Sequence, residues 1–283
     1  MANPTWCIVT PSYHVDFEAC RLLVDSIARH VKADIRHYII VPKRDRKLFD
    51  CLATGRTVIK HQEDFLPRWI FPSLVSKKWF LSLKTWPVRG WIRQQIVKLA
   101  TAEMLEEDYF LVIDSDTFFV KDFDKSQFFR DDSVSFYCEP FEEVIDSHDN
   151  WQRNSAKMFG MTIDPAREIY VAPFIFWRKD VLQQMFARLR ALHGCSWQQV
   201  MCRQMSLSEY TLYGVFVRRI LGSDKSGHFV DPIKYTHDYY ETTPMSREAL
   251  EDFKARVGRN HFGVSISSKS NTPLALIRQV FGY

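Results

Sequence analysis

Two hydrophobic rhythms alternate along the first half of the chain. Trp6-Cys7-Ile8-Val9-Thr10-Pro11 is a short apolar run stopped by proline, the pattern of a buried strand. From Phe17 to Val31 the apolar positions Phe17, Cys20, Leu23, Val24, Ile27 and Val31 return on one face of a helix. The pair of patterns then repeats. His37-Tyr38-Ile39-Ile40-Val41 predicts a second strand closed by Pro42, a short helix follows over Asp45 to Leu52, and Thr57-Val58-Ile59 predicts a third strand. Residues 91 to 106 give the clearest helix, and Phe110-Leu111-Val112-Ile113 reads as the most deeply buried strand. Strands alternating with helices predict an α/β fold with a mostly parallel, Rossmann-like central sheet flanked by helices. Ligands of such sheets bind beyond the carboxyl ends of the strands.

The second half is less regular. Val134 to Cys138 predicts a strand, and Glu139 to Phe159 is polar enough to read as a loop and short helix holding Asp146, His148 and Asp149. Glu168 to Trp177 has strand character broken by Pro173, Lys179 to Leu192 is an amphipathic helix, and Ser208 is a fitting N-cap for another. No linker or repeat interrupts the chain, which predicts a single domain over 1–283.

The feature that points to chemistry is the end of the apolar run, Asp114-Ser115-Asp116. A buried carboxylate without a partner is costly, so an acid pair at a strand's end needs a cation, donors or water. Residues 114 and 116 share one side if the strand stays extended, and converge if the chain turns there. Either way two hard oxygen ligands reach one Mg²⁺ or Mn²⁺, whose shell is commonly completed by water and substrate phosphates. Asp at a strand end is also ordinary turn chemistry. The apolar residues on both flanks, with no Gly or Pro between them, favour the metal reading.

Composition narrows the function classes. A hydrophobic fraction of 46% with 14% aromatic residues excludes a disordered or low-complexity chain. The net charge of +4 suits anionic substrates but not the concentrated basic face of a nucleic-acid binder. The clusters Lys43 to Lys47 and Lys77-Lys78 read as solvated faces. Trp69, Trp79, Trp86 and Trp91 are interleaved with basic residues from Arg68 to Arg93, the pattern of a membrane-associated flap, a sugar-stacking wall or a loop packed on its own domain. Six dispersed cysteines without a CxxC pair, and a beginning that is strand-like and has no signal-type apolar segment, predict a reducing cytoplasm.

Four segments together resemble GT-A-fold glycosyltransferases, and within them a little-characterised bacterial branch. They are Ile8 to Tyr13, Gly90 to Leu99, Val112 to Asp116 and Ser208-Glu209-Tyr210. The resemblance implies a nucleotide-binding half over 1–120 and an acceptor-binding half over 121–283. It implies that Asp114 and Asp116 hold Mn²⁺ or Mg²⁺ on the diphosphate of a nucleotide sugar, with donor contacts from Thr10, Pro11 and Tyr13. Gln94 and Lys98 share one helix face, where Lys98 meets either a phosphate or solvent. Glu209 is the candidate base for the acceptor hydroxyl of an inverting reaction, or else a first-turn glutamate favoured by the helix dipole. The resemblance also implies a C-terminal histidine as a further metal ligand, His261 first and His237 in reserve. Lys269 and the hydroxyls of Ser265 to Ser270 either close over the diphosphate or form a surface loop. The expected partners are a nucleotide sugar and a glycan or glycolipid acceptor in bacterial surface-glycan synthesis, handled in the cytoplasm at the inner face of the membrane.

Two other classes fit parts of the pattern. Val112-Ile113-Asp114-Ser115-Asp116-Thr117 also resembles the first motif of haloacid-dehalogenase-type phosphohydrolases, with Asp114 as nucleophile and Asp116 as acid/base. That motif usually opens the first strand, whereas here strand–helix units precede it. A non-catalytic sugar- or nucleotide-binding module is the third reading.

Overall fold

The computed structural model, which describes residues 5–32, 35–73, 75–76, 78–140, 146–162 and 168–283, opens on Trp6–Pro11 (β1), a strand buried at every position. Phe17–His30 (α1) packs Cys20, Leu22, Leu23 and Ile27 inward. Arg36–Val41 (β2), the short Arg46–Phe49 (α2), Thr57–His61 (β3) and the single turn Gln62–Phe65 (α3) follow. Ile70–Pro72 (β4), Trp79–Ser82 (β5) and Val88–Arg89 (β6) make a small antiparallel sheet. Gly90–Met104 (α4) then leads back to the central sheet at Tyr109–Val112 (β7). After β7 the chain turns, with Thr117 N–H donating to Asp114 O at 3.1 Å, and Thr117–Phe119 (β8) leaves in a different sheet. Of the two predicted geometries at the acid pair, the turn is the one adopted.

Beyond β8 lie Phe129–Arg130 (β9), Ser133–Tyr137 (β10), Glu139–Pro140 (β11), Asp146–Met158 (α5), Glu168–Ile169 (β12), Ile175–Arg178 (β13) and Lys179–His193 (α6). Trp197–Cys202 (α7), Glu209–Val215 (α8), Ser223–Ser226 (α9), His228–Asp231 (β14) and Thr236–Tyr239 (β15) follow. Arg247–Ala255 (α10), Gly263–Ile266 (β16) and Leu274–Phe281 (α11) complete the order. The polar stretch expected to be a loop and short helix contains the 13-residue α5, while 141–145 lie outside the described residues. Its polar sequence hides a helix held by packing, since Gln152, Ser155, Ala156 and Met158 are buried.

The central sheet runs β13-β7-β1-β2-β3, with β7, β1, β2 and β3 parallel and β13 antiparallel at the edge. Alternate residues feed two cores: Val9, Ile40 and Val112 face α4 and α6, and Ile8, Leu111 and Ile113 face α1 and Phe119. From β1 the chain steps to β2 on one side and later to β7 on the other. The order therefore reverses between β1 and β7, and the crevice beyond their carboxyl ends is where such sheets bind ligands. β16 pairs antiparallel with β8, Ser265 opposite Thr117, and so carries the C-terminal segment to that crevice.

The helix bearing Glu209 is packed without slack. A Cβ built on Gly214 would lie 2.4 Å from Tyr170 Cγ and 2.8 Å from its Cβ, close to the backbone rather than at a movable tip. Gly214→Ala is expected to cost about 1–3 kcal/mol in urea unfolding. Gly55→Ala, at a glycine with nothing within 4 Å, should stay within about 0.5 kcal/mol. Equal midpoints for the two variants would contradict this packing.

Candidate active site

Three segments meet beyond the carboxyl ends of β1 and β7. The turn after β1 supplies Asp16, the turn after β7 supplies Ser115 and Asp116, and the chain after β16 supplies Ser267, Ser268, Ser270 and Thr272. Together they line a cavity of about 180 Å³ floored by Leu22, Phe118, Ile266 and Ile277. The register of β8 with β16 sets this meeting. Ile266 N–H donates to Asp116 O at 3.1 Å, and Ser268 N–H reaches Asp116 Oδ2 at 3.4 Å.

The acids of the site crowd one another. Burial, then the Asp114 carboxylate, pushes the Asp116 carboxyl up to about 7, against the pull of the Ser268 N–H, and Asp16 adds to the rise. Asp16 is itself pushed up to about 6, by burial first and by Asp114 next, offset in part by a hydrogen bond from Ser115 and by His14. Asp114 is relieved from the opposite side, where its Oδ1 lies 2.9 Å from Lys98 Nζ. Lys98 is almost wholly buried, and its ammonium also lies 3.0 Å from Glu209 Oε1 and donates to Tyr210 OH at 3.1 Å. Burial alone would lower the Lys98 pKa. The Asp114 and Glu209 carboxylates outweigh burial and hold it well above the usual lysine range. The acids also reach Tyr240 electrostatically: burial, then Asp238, Asp116 and Asp114, raises its phenol.

The balance of charge tests whether a divalent cation fits. Asp114 and Glu209 share the Lys98 ammonium, Asp16 and Asp116 add further carboxylates beside the cavity, and the donors nearest the cavity are hard oxygens. Among the described residues no three His, Cys, Asp or Glu side chains converge to hold a metal ion. A cation bound by one or two carboxylates, with water and phosphate completing its shell, needs no such trio, and Mg²⁺ habitually binds this way. The carboxylate oxygens beside the cavity are of the kind that group takes.

The predicted site residues divide into those brought together and those set apart. Thr10 is buried in β1, with Oγ1 2.9 Å from His37 Nε2, and Pro11 is the buried last residue of that strand. Of these donor candidates only Tyr13 exposes its side chain. Gln94 is exposed on α4, but Lys98, one turn on, is neither in solvent nor free for a phosphate, because two carboxylates hold it inside. Glu209 is 2% exposed and bound to Lys98, which corrects the picture of a base waiting at a helix start. Lys269 is exposed between the cavity-lining Ser268 and Ser270. His261 does not join the acids. Phe262 O accepts from Val120 N at 2.8 Å, which puts His261 beyond the far end of β8 from Asp116. That separation is on the order of 15 Å along an extended strand. His261 Nδ1 accepts from Gly258 N–H at 3.0 Å, and its ring stacks on His237 at 5.3 Å between centroids. Neither histidine is a ligand candidate in this geometry.

Sequence reading missed Asp16 and Tyr240. Asp16 looks like an ordinary first-turn acid of α1, and its one signal is position, just after the first strand of an α/β sheet. Tyr240 follows the last residue of β15 and carries no local signal.

A family model described as a family of unknown function, DUF6492, matches residues 7–257. Among solved structures, an active-site mutant of LgtC is similar at 13% identity and a TM-score of 0.49, over 97% of this chain and 95% of that chain. The galactosyltransferase LgtC in complex with donor and acceptor sugar analogs is similar at 14% identity and a TM-score of 0.47, with 97% and 95% covered. No curated protein matches the chain.

Two predictions follow from the charges. Asp16 and Asp116 bind protons more tightly folded than unfolded, so their contribution to stability is complete below the unfolded carboxyl value near ~3.9. It is lost as pH rises through about 6 for Asp16 and about 7 for Asp116. Metal-free protein should therefore lose melting temperature between about pH 4 and pH 8, and Asp116→Asn should flatten the upper part of that fall. A variant with the parent's slope would remove Asp116 as its source. Lys98→Met should cost about 3–5 kcal/mol in urea unfolding by stranding Glu209, and adding Glu209→Gln should recover part of the loss. A Lys98→Met protein as stable as the parent would show that the ion pair carries no structural weight.

Proposed function

We propose that this protein, which belongs to the DUF6492 family, is a divalent-metal-dependent glycosyltransferase that moves a sugar from a nucleoside-diphosphate donor to a hydroxyl acceptor. The observation that carries the reading is the surplus of carboxylates, Asp16, Asp114 and Asp116, beside a hydroxyl-lined cavity at the crevice between β1 and β7. The resemblance of four sequence segments to GT-A enzymes supports it. A glycan or glycolipid acceptor in surface-glycan synthesis is what that resemblance adds.

Breaking a sugar–phosphate bond leaves a diphosphate whose added negative charge must be stabilised. A divalent cation, when bound, supplies that as a Lewis acid. In this reading Asp114 and Asp116 hold the cation. Lys98 takes Asp114 Oδ1 and so fixes the carboxylate's orientation, leaving the nearly half-exposed side chain to offer its second oxygen outward. Glu209 acts one step back, keeping Lys98 charged and in place. In this reading the hydroxyls of Ser267 and Ser268, with the neighbouring Lys269, receive phosphate oxygens. Tyr13 offers a ring at the nucleoside edge, with Thr10 and Pro11 shaping the backbone beneath it.

Haloacid-dehalogenase chemistry needs the first acid of the pair to face the substrate as nucleophile. That acid usually ends the first strand of its fold, whereas Asp114 follows β7, after β1, β2 and β3 of the same sheet. The transferase reading makes the more specific claim on the site.

Titration calorimetry with UDP-, GDP- and CMP-sugars, with and without Mn²⁺, tests the proposal. One donor should bind only with metal and be hydrolysed slowly without acceptor. Asp116→Ala should weaken that binding by more than the roughly 10- to 100-fold that loss of a supporting partner costs at a metal site, with an unchanged circular dichroism spectrum. Metal-independent binding, or full affinity in Asp116→Ala, would overturn it.

A further inference from the structure

The small sheet of β4, β5 and β6 turns one face to the core and one to solvent. Ile70, Phe80 and Val88 share the inner face and join the core beside α4. The outer face carries Phe71 opposite Leu81, with Trp79 opposite Arg89. The loops extend this surface: Val75 is 95% exposed, Leu83 77% and Trp86 85%. Arg89 Nη1 donates to Met205 O at 2.8 Å and Trp91 Nε1 to Leu207 O at 2.9 Å. These bonds tie the flap to the segment before α8, where Met205 is exposed as well. Isolated exposed apolar residues need no explanation, but a contiguous set with two exposed tryptophans does.

Charge identifies what covers it. The sequence has no Asp or Glu between Asp64 and Glu103, whereas Arg68, Lys78, Lys84, Arg89 and Arg93 lie in that interval. Lys78, Lys84 and Arg89 are exposed among the aromatics, as is Arg203 on the adjoining segment, while Lys77 lies outside the described residues. A second copy of the chain seated on this face would set cation against cation. An anionic bilayer satisfies both features, because tryptophan settles at the headgroup level and Lys and Arg meet lipid phosphate. Apolar insertion and basic attraction are also the two signals that stable peripheral binding requires.

We propose that the flap formed by β4, β5 and β6, with the segment 203–207, is a docking surface for an anionic lipid bilayer. Among the described residues no helix is long and apolar enough to cross a membrane, so this is attachment by a surface. The proposal does not depend on the transferase reading. It does place the bilayer at the start of α4, seven residues or about 10 Å along the axis from Lys98.

Sedimentation of the full chain with vesicles tests it. The protein should pellet with equal parts phosphatidylcholine and phosphatidylglycerol, stay in solution with phosphatidylcholine alone, and release as salt rises. The double variant Leu83→Ser, Trp86→Ala removes side chains that support no core, and should lower partition more than about tenfold with an unchanged circular dichroism spectrum. Lys84→Gln should lower it about fivefold at low salt. Partition no better into the mixed vesicles than into phosphatidylcholine, or a double variant that binds like the parent, would overturn the proposal. So would a dimer in ultracentrifugation that the double variant abolishes while the parent ignores vesicles, since that outcome assigns the face to a second copy.

Discussion

Lys98 is the constraint around which the candidate site is arranged. It sits in the middle of α4, inside the protein, and stays charged only because Asp114 and Glu209 lie at 2.9 and 3.0 Å. Those acids come from the turn after β7 and the first turn of α8, so one ammonium on α4 joins the end of the next strand to a helix much later in the chain. Burying one charge without the others would cost several kcal/mol, which makes the arrangement close to all-or-none. Its consequence is directional. Asp114 is drawn toward α4, Asp116 remains on the cavity side, and the turn between them holds Asp114 near enough to raise Asp116.

The cavity side has the opposite balance. Asp116 and Asp16 have no buried cation of their own, and backbone N–H and hydroxyl groups are the donors that face them. Such a site is unfavourable for the empty protein at neutral pH and favourable for whatever brings positive charge to it. The segment after β16 completes the arrangement by adding hydroxyl donors, the exposed Lys269 and no further acid. Phosphate oxygens and a divalent cation arriving together would meet both needs, with the carboxylates taking the cation and the hydroxyls the anion.

The central sheet was legible because its signals are local. Proline-stopped apolar runs gave β1 and β2, and the one-sided stripe from Phe17 gave α1, each to within a residue or two. The acid pair was legible for the same reason, since a carboxylate at the end of an apolar run is conspicuous without any fold. What remained hidden depends on pairing between distant strands. Nothing near Ser268 announces that β16 will lie against β8 and bring its N–H to Asp116, and nothing near His261 announces that the same register carries it away. Lys98 misled in a different way. A lysine one turn from an exposed glutamine suggests a polar face, and its burial follows only once Asp114 and Glu209 are known to converge on it.

The acid cluster and the exposed flap share a structural axis in α4. Its first turn is fixed by the segment entering α8 through Trp91 and by Gln62 through Arg93, whose Nη1 donates to Gln62 Oε1 at 2.8 Å. Its middle holds the Lys98 cluster. Leu207 O accepts from both Trp91 and Gln95, at 2.9 and 2.6 Å, so the segment entering α8 is anchored to the same helix on two successive turns. A rigid helix clamped at both places gives little freedom for the outer surface to move relative to the acid cluster. Any body that settles on the flap is therefore held at a set distance from the carboxylates.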